Sequence, residues 1–199
     1  MKKSTIILLS IAGVILLVIF WFIGTGNNLV QKEEAVKGSW SQVQNVYQRR
    51  MDLIPNLVST VKGYAEHERS TLQSVVEARN QATKVDLSSA LNDPQKFAQL
   101  KKAQDSLGGA LSRLMVVVEK YPDLKANENF RDLQVQLEGT ENRIAVERRR
   151  FNEVVQEFNS YIRYFPQSIV AGMKGMMAKT YFEADVGASK APTVDFNKK

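Results

Sequence analysis

The chain has 199 residues and no cysteine, which excludes disulfides, thiolate nucleophiles, cysteine-held iron–sulfur or zinc centres and a lipid-modified N-terminal cysteine. Its net charge is +6, from 27 basic and 21 acidic residues. Setting Lys2 and Lys3 aside leaves 25 basic against 21 acidic residues, an excess of +4 that points neither to nucleic acid nor to an anionic lipid.

Residues 1–4 form a short flank, and residues 5–24 read as a transmembrane anchor. From Thr5 to Ile23 no residue is charged and only Thr5 and Ser10 are polar, over a length that spans about 30 Å of hydrocarbon as a helix. Trp21 stands at the outer end, where an indole prefers the headgroups. A cleaved signal would have a shorter apolar core and a small-x-small site; here the run ends in Trp21-Phe22-Ile23. Basic residues nearly tie on the two sides, Lys2 and Lys3 against Lys32 and Lys37. The N-terminal pair lies closer to the run, so the reading adopted is N-terminus inside, domain outside.

The rest reads as all-α, an elongated antiparallel four-helix bundle over residues 28–165 with segments at about 28–51, 53–84, 94–120 and 127–164. In the first segment Leu29, Val36, Trp40, Val43 and Tyr47 share a face ending near Arg50. The second carries Ile54, Leu57, Val58, Val61, Tyr64, Ala65, Leu72, Val75 and Val76. Pro55 between them, with Asp52 as an N-cap, predicts a turn or sharp kink at Arg50–Ile54. The alternative keeps Pro55 inside one bent helix and gives a three-helix rod with a longer first member.

Asp93-Pro94 opens the third segment, with Phe97, Gln104, Leu111 and Val118 on one row and Leu100, Leu107, Leu114 and Tyr121 on the other. Tyr121-Pro122 closes it, and Asn127 caps the fourth. There a seven-residue row runs through Phe130, Leu137, Ile144, Phe151, Phe158 and Phe165, beside Leu133, Thr140, Glu147, Val154 and Tyr161. Residues 166–182, with Ile169, Val170, Met173, Met176, Met177, Tyr181 and Phe182, read as a short amphipathic helix loosened by Gly172 and Gly175. Residues 183–199 read as a flexible tail.

No catalytic, cofactor or metal residues emerge. His67 opens a string like a helical zinc motif, but Thr71 stands where the second histidine belongs. There is no G-x-S-x-G elbow, and Gly24-Thr25-Gly26 is too short for a phosphate loop. Gly108-Gly109, inside a helix, reads as permitting close packing or a bend. Arg148-Arg149-Arg150 and Lys101-Lys102 are short runs among acids, better suited to a solvated face than to phosphate. The polar interruptions at Thr140 and Glu147, the cluster Glu138–Arg143 and Arg50 suggest that Glu141 or Glu147 pairs with Arg49 or Arg50 across the bundle, fixing register; a solvated groove, or a small-molecule site, is the other reading.

Several strings carry a resemblance: Trp40-Ser41-Gln42-Val43, Arg49-Arg50-x-Asp52-Leu53-Ile54-Pro55-Asn56-Leu57-Val58, Val61-Lys62-Gly63-Tyr64, His67-Glu68 and Ala78-Arg79. They continue in Tyr121-Pro122-x-Leu124-Lys125-Ala126, Leu137-Glu138-Gly139-Thr140-Glu141-Asn142-Arg143-Ile144, Arg149-x-Phe151-Asn152, Tyr181-Phe182 and Pro192-x-Val194-Asp195-Phe196. On these the chain resembles the LemA family from Asn28 onward. The resemblance implies an anchored helical bundle in a bacterial cytoplasmic membrane, with no established enzymatic activity and no catalytic residues to transfer. It also implies work beside other membrane proteins, since genes of such proteins often neighbour those of a zinc membrane protease and a TPM-domain protein, and a magnetosome-associated protein looks related. The expectation is a non-enzymatic scaffold or adaptor that contacts the lipid bilayer through residues 5–24 and membrane-protein partners, binds no nucleic acid and no cofactor, and allows a homo-oligomer. The rivals are a membrane-surface or remodelling protein and a regulator of a membrane protease.

Overall fold

The computed structural model describes residues 3–183, Thr5 by its backbone alone. Seven helices occur there and no strand: α1 (Lys3–Lys62), α2 (Arg69–Lys84), α3 (Leu87–Ala90), α4 (Pro94–Val118), α5 (Pro122–Ala126), α6 (Glu128–Tyr161) and α7 (Gln167–Met173). The expected flexible tail lies outside the described residues apart from Glu183, and with it Pro192–Phe196.

The first correction concerns Pro55. No turn or cap forms at Arg50–Ile54, and α1 is continuous for 60 residues with Pro55 inside it. Asp52, expected as an N-cap, instead accepts a hydrogen bond from Gln48 Nε2 one turn earlier. A proline inside a helix strips the carbonyl four residues back of its donor. Here that carbonyl belongs to Met51, and Arg79 Nε reaches from α2 to donate to it at 2.9 Å. The break lies about ten residues later, at Gly63–Glu68, so the expected helix over 53–84 is divided between the end of α1 and α2. The alternative of one long first helix is the one the chain adopts.

The caps at the other boundaries form as read. Asp93 accepts from the amides of Gln95 and Lys96 with Pro94 opening α4, and Asn127 accepts from Phe130 N at the start of α6. Heptad rows become core. Leu29, Val36, Trp40, Val43, Tyr47, Ile54, Leu57 and Val61 of α1 are buried, as are Phe97, Leu100, Leu107 and Leu114 of α4 and Phe130, Leu137, Ile144, Phe151 and Phe158 of α6. The α6 row stops there, because the helix ends at Tyr161 and leaves Phe165 82% exposed.

Contacts give the directions. Arg50 meets Glu141 and Lys32 meets Glu157, so α1 and α6 run antiparallel. Arg79 meets Met51 while Leu72 packs in the same cluster as Val61, so α2 folds back along α1. Two apolar clusters result. The one distal to the apolar N-terminal run draws on α1, α2, α4, α5 and α6; the proximal one draws on α1, α3, α4, α6 and Phe182. The bundle is thus four-helical only in its distal half. In the proximal half, α3 and an extended C-terminal segment complete the packing in place of α2.

That segment is the second correction. The helix read over 166–182 ends at Met173, and Gly175, with φ 66°, turns the chain into an extended run. Residues 6–23 of α1 are unburied and apolar, a stretch long and apolar enough to cross a membrane.

Candidate functional site

The helix faces that build the two cores carry polar residues at one level, between the clusters. On α1 the level falls between Tyr47 and Met51 and is occupied by Arg50. On α4 it falls between Leu100 and Leu107 and holds Gln104; on α6, between Leu137 and Ile144, it holds Thr140 and Glu141. Each sits where its heptad would place an apolar side chain or beside such a place, so a polar layer crosses the bundle.

Arg50 is 4% exposed, and its Nε lies 2.8 Å from Glu141 Oε1. The approach is close but the N–H does not point along it, so charge more than direction holds the pair. Burial pulls the Arg50 guanidinium below its ordinary pKa, and the Glu141 carboxylate works against that pull. Gly108 makes room for the arginine: a Cβ there would stand 3.0 Å from Arg50 Nη2. Of the sequence-level pairings, Arg50–Glu141 is the one formed. Glu147 turns to Arg150 on its own helix, and Arg49 is exposed. Glu138 accepts from Gln134, again within α6.

Next to this pair, Arg148 donates from Nε to the Tyr47 hydroxyl at 2.7 Å and approaches Asp105 at 3.9 Å. Burial raises the Tyr47 pKa, against the lowering influence of Arg148. Gln104, 1% exposed, has neither its amide oxygen nor its amide nitrogen bonded to the protein. Thr140 satisfies its hydroxyl on Gln136 O. Clefts open on two sides of the layer. One of about 310 Å³ is lined by Arg50, Gly108, Leu111, Met115, Leu137 and Glu141; one of about 400 Å³ is lined by Arg50, Gln104, Asp105, Glu141 and Arg148 among others. Two guanidinium groups face two carboxylates here, an arrangement suited to fixing helix register.

His67 sits exposed in the Gly63–Glu68 turn, away from this layer. Sequence reasoning missed Gln104 as a polar intrusion, Arg148 as the partner of Tyr47, and a second feature on α6. Asn152 exchanges two hydrogen bonds with the backbone of Phe182, donating to O at 2.7 Å and accepting from N at 2.8 Å. Asn159 does the same with Lys179 at 2.9 and 2.8 Å. The signal was present as Phe151-Asn152 and Phe158-Asn159, the same dipeptide repeated after seven residues.

The LemA family model matches residues 39–196. "Protein LemA" of Metamycoplasma hominis is 26% identical over 83% of this chain and 72% of its own length. "Magnetosome protein MamQ 2" of Paramagnetospirillum magneticum is 26% identical over 79% of this chain, and "Magnetosome protein MamQ" of Magnetospirillum gryphiswaldense 26% over 78%. The alignment spans 64% of the length of each of these two magnetosome proteins.

Proposed function

The chain belongs to the LemA family, and we propose that it is a membrane-tethered scaffold: a helical bundle, without enzymatic activity of its own, that holds protein partners beside a bacterial cytoplasmic membrane. The observation that carries this reading is the unbroken α1, whose exposed apolar first part passes without a joint into the buried face that founds the bundle. A jointless connection fixes the distance between the apolar run and the bundle, which is what a positioning device requires. The similarity to proteins named for the magnetosome is in keeping with work in a membrane assembly.

A second observation favours contact with the membrane surface as well. α7 packs on Leu29 through Val170 and Ala171, and Thr25 and Gly26 are buried, just past the end of the apolar run. Beside this contact Phe165, Ile169, Met173 and Met177 present their side chains outward, Met177 at 74% exposure. At that height they meet headgroups and the upper acyl region, so α7 acts as a foot that steadies the tether. Liposome flotation of a chain lacking residues 1–26 tests the foot: flotation that survives Phe165→Ser with Met173→Ser argues against it.

Partner holding is tested with photo-crosslinkers at Val116 of α4 and Val135 of α6, which are 69% and 67% exposed. Discrete adducts to a membrane protein are expected. Adducts to lipid or to the chain itself alone overturn the scaffold reading. Since the sequence has no cysteine, single introduced cysteines and an impermeant maleimide report the orientation, expected as N-terminus inside.

A further inference from the structure

The groove on α6 that holds residues 176–183 is built to read an extended backbone. Asn152 and Asn159, seven residues apart and so on one face of α6, each occupy both the N–H and the C=O of a single clasped residue, Phe182 and Lys179. Four main-chain hydrogen bonds made this way are indifferent to side-chain identity. Specificity comes from two places. The Phe182 ring enters an aromatic box, 4.7 Å from Phe97, 5.6 Å from Phe151 and 6.0 Å from Trp40 between centroids, with the Arg148 guanidinium 5.1 Å above it. The Lys179 ammonium reaches Asn92 Oδ1 at 2.6 Å and Glu33 at 3.6 Å.

This is a peptide site occupied by the chain's own segment, and we propose that it also takes the same segment from a neighbouring copy, linking membrane-tethered molecules by exchange. Three observations favour a second copy as the occupant. Every contact made in cis is available unchanged in trans, because the residues are identical, so effective concentration and the connecting hinge decide between them. The hinge exists: Gly172 and Gly175 flank the end of α7, and Gly175 already sits at φ 66°. The reach is sufficient once the last residues of α7 unwind, since the seven residues from Gly172 to the clasped Lys179 cover roughly 23 Å at about 3.3 Å each, and a bundle two helices wide is about 20 Å across. Copies sharing the tether also share a height above the bilayer, which aligns the segment of one with the groove of the next. For that common height the inference rests on the tethered reading, and carbonate extraction of the same membranes reports the tether separately.

The test uses full-length chains co-expressed in one membrane. Lys101 Nζ lies 3.5 Å from the Glu183 carbonyl, so a groove copy carrying Lys101→Cys and a segment copy carrying Glu183→Cys, treated with a short bis-maleimide, form a covalent dimer on exchange. The dimer is expected to increase with expression level. It falls at least ten-fold when the groove copy also carries Asn152→Ala and Asn159→Ala, and equally when the segment copy carries Phe182→Ala, a change that leaves the groove copy intact. A chain with both cysteines must give the intramolecular product. No dimer from mixed copies at any level, or a dimer insensitive to both sets of changes, overturns the proposal; so does a doubly substituted chain that yields no intramolecular product.

Discussion

The union of Pro55 with Arg79 invites a double-mutant cycle. Pro55 leaves Met51 O without its helical donor, and Arg79 Nε supplies one from α2 at 2.9 Å in a partly buried setting. A hydrogen bond from a charged donor contributes about 1.5–3 kcal/mol, and partial exposure puts this one near the lower end, about 2 kcal/mol. Arg79→Met keeps the apolar stem and removes the donor, so it is expected to cost about 2 kcal/mol, or roughly 4–8 °C in Tm. In a Pro55→Ala background the amide of residue 55 can bond Met51 O, and the same Arg79→Met change is expected to cost only about 0.5 kcal/mol. The coupling energy is then about 1.5 kcal/mol, well above the scatter between independent sites. Urea unfolding of the full chain in detergent, followed by far-UV circular dichroism, measures all four corners, with an unchanged m-value as the sign that only stability has moved. Equal costs for Arg79→Met in both backgrounds would refute the account of how α1 passes through a proline.

Other expectations test the polar layer and one cap. Arg50→Ala is expected to lose stability, since Glu141 is left without its cation; the charge swap Arg50→Glu with Glu141→Arg recovers part of the loss, and single changes as stable as the native chain refute a register pair. Gln104→Met removes two buried unpaired polar atoms and is expected to stabilise by about 1 kcal/mol in the same urea assay. Gly109→Ala, whose Cβ would meet Arg113 at an ordinary 3.8 Å, should yield most of the ~1 kcal/mol helix-propensity gain, whereas Gly108→Ala should yield none because its Cβ meets Arg50 at 3.0 Å. Asp86, held at about 2 chiefly by hydrogen bonds from the Ser88 and Ser89 side chains, caps α3. Its folded pKa lies below the ordinary 3.8 of an aspartate, so its stabilisation is present above that value and disappears as pH falls towards 2. Because Trp40 Nε1 donates to Leu87 O on α3, a red shift of Trp40 emission across that interval in a Trp21→Phe background is expected, and Asp86→Ala should abolish the transition.

Much of this architecture was legible because burial follows the seven-residue period. The row through Phe97, and that through Phe130 as far as Phe158, passed into the core with their register intact, and capping residues such as Asp93 and Asn127 act over two or three positions, within reach of local reading. Pro55 was not legible: what neutralises it is a side chain 28 residues away, and no local pattern announces that Arg79 will face Met51 O. The extended segment was misread for a related reason. Its apolar residues mimic a helical stripe, and only the pairing with Asn152 and Asn159 makes the extended form the better bonded one. At the candidate site, Arg50–Glu141 could be anticipated because Arg50 ended an apolar row and Glu141 lay in the polar cluster around the interruption at Thr140, whereas Gln104 was accepted into its row on spacing alone.

The absence of a joint in α1 has a geometric consequence for a tethered molecule. From Gly24 to Lys62 the helix rises about 57 Å at 1.5 Å per residue. Were the embedded part to lean by about 20°, as such helices commonly do to match bilayer thickness, the far tip of the bundle would sweep sideways by about 20 Å. A few ångströms of change in lipid thickness would thus be magnified into a swing as wide as the bundle itself, and whatever grips the distal end would register the state of the bilayer as a change of position.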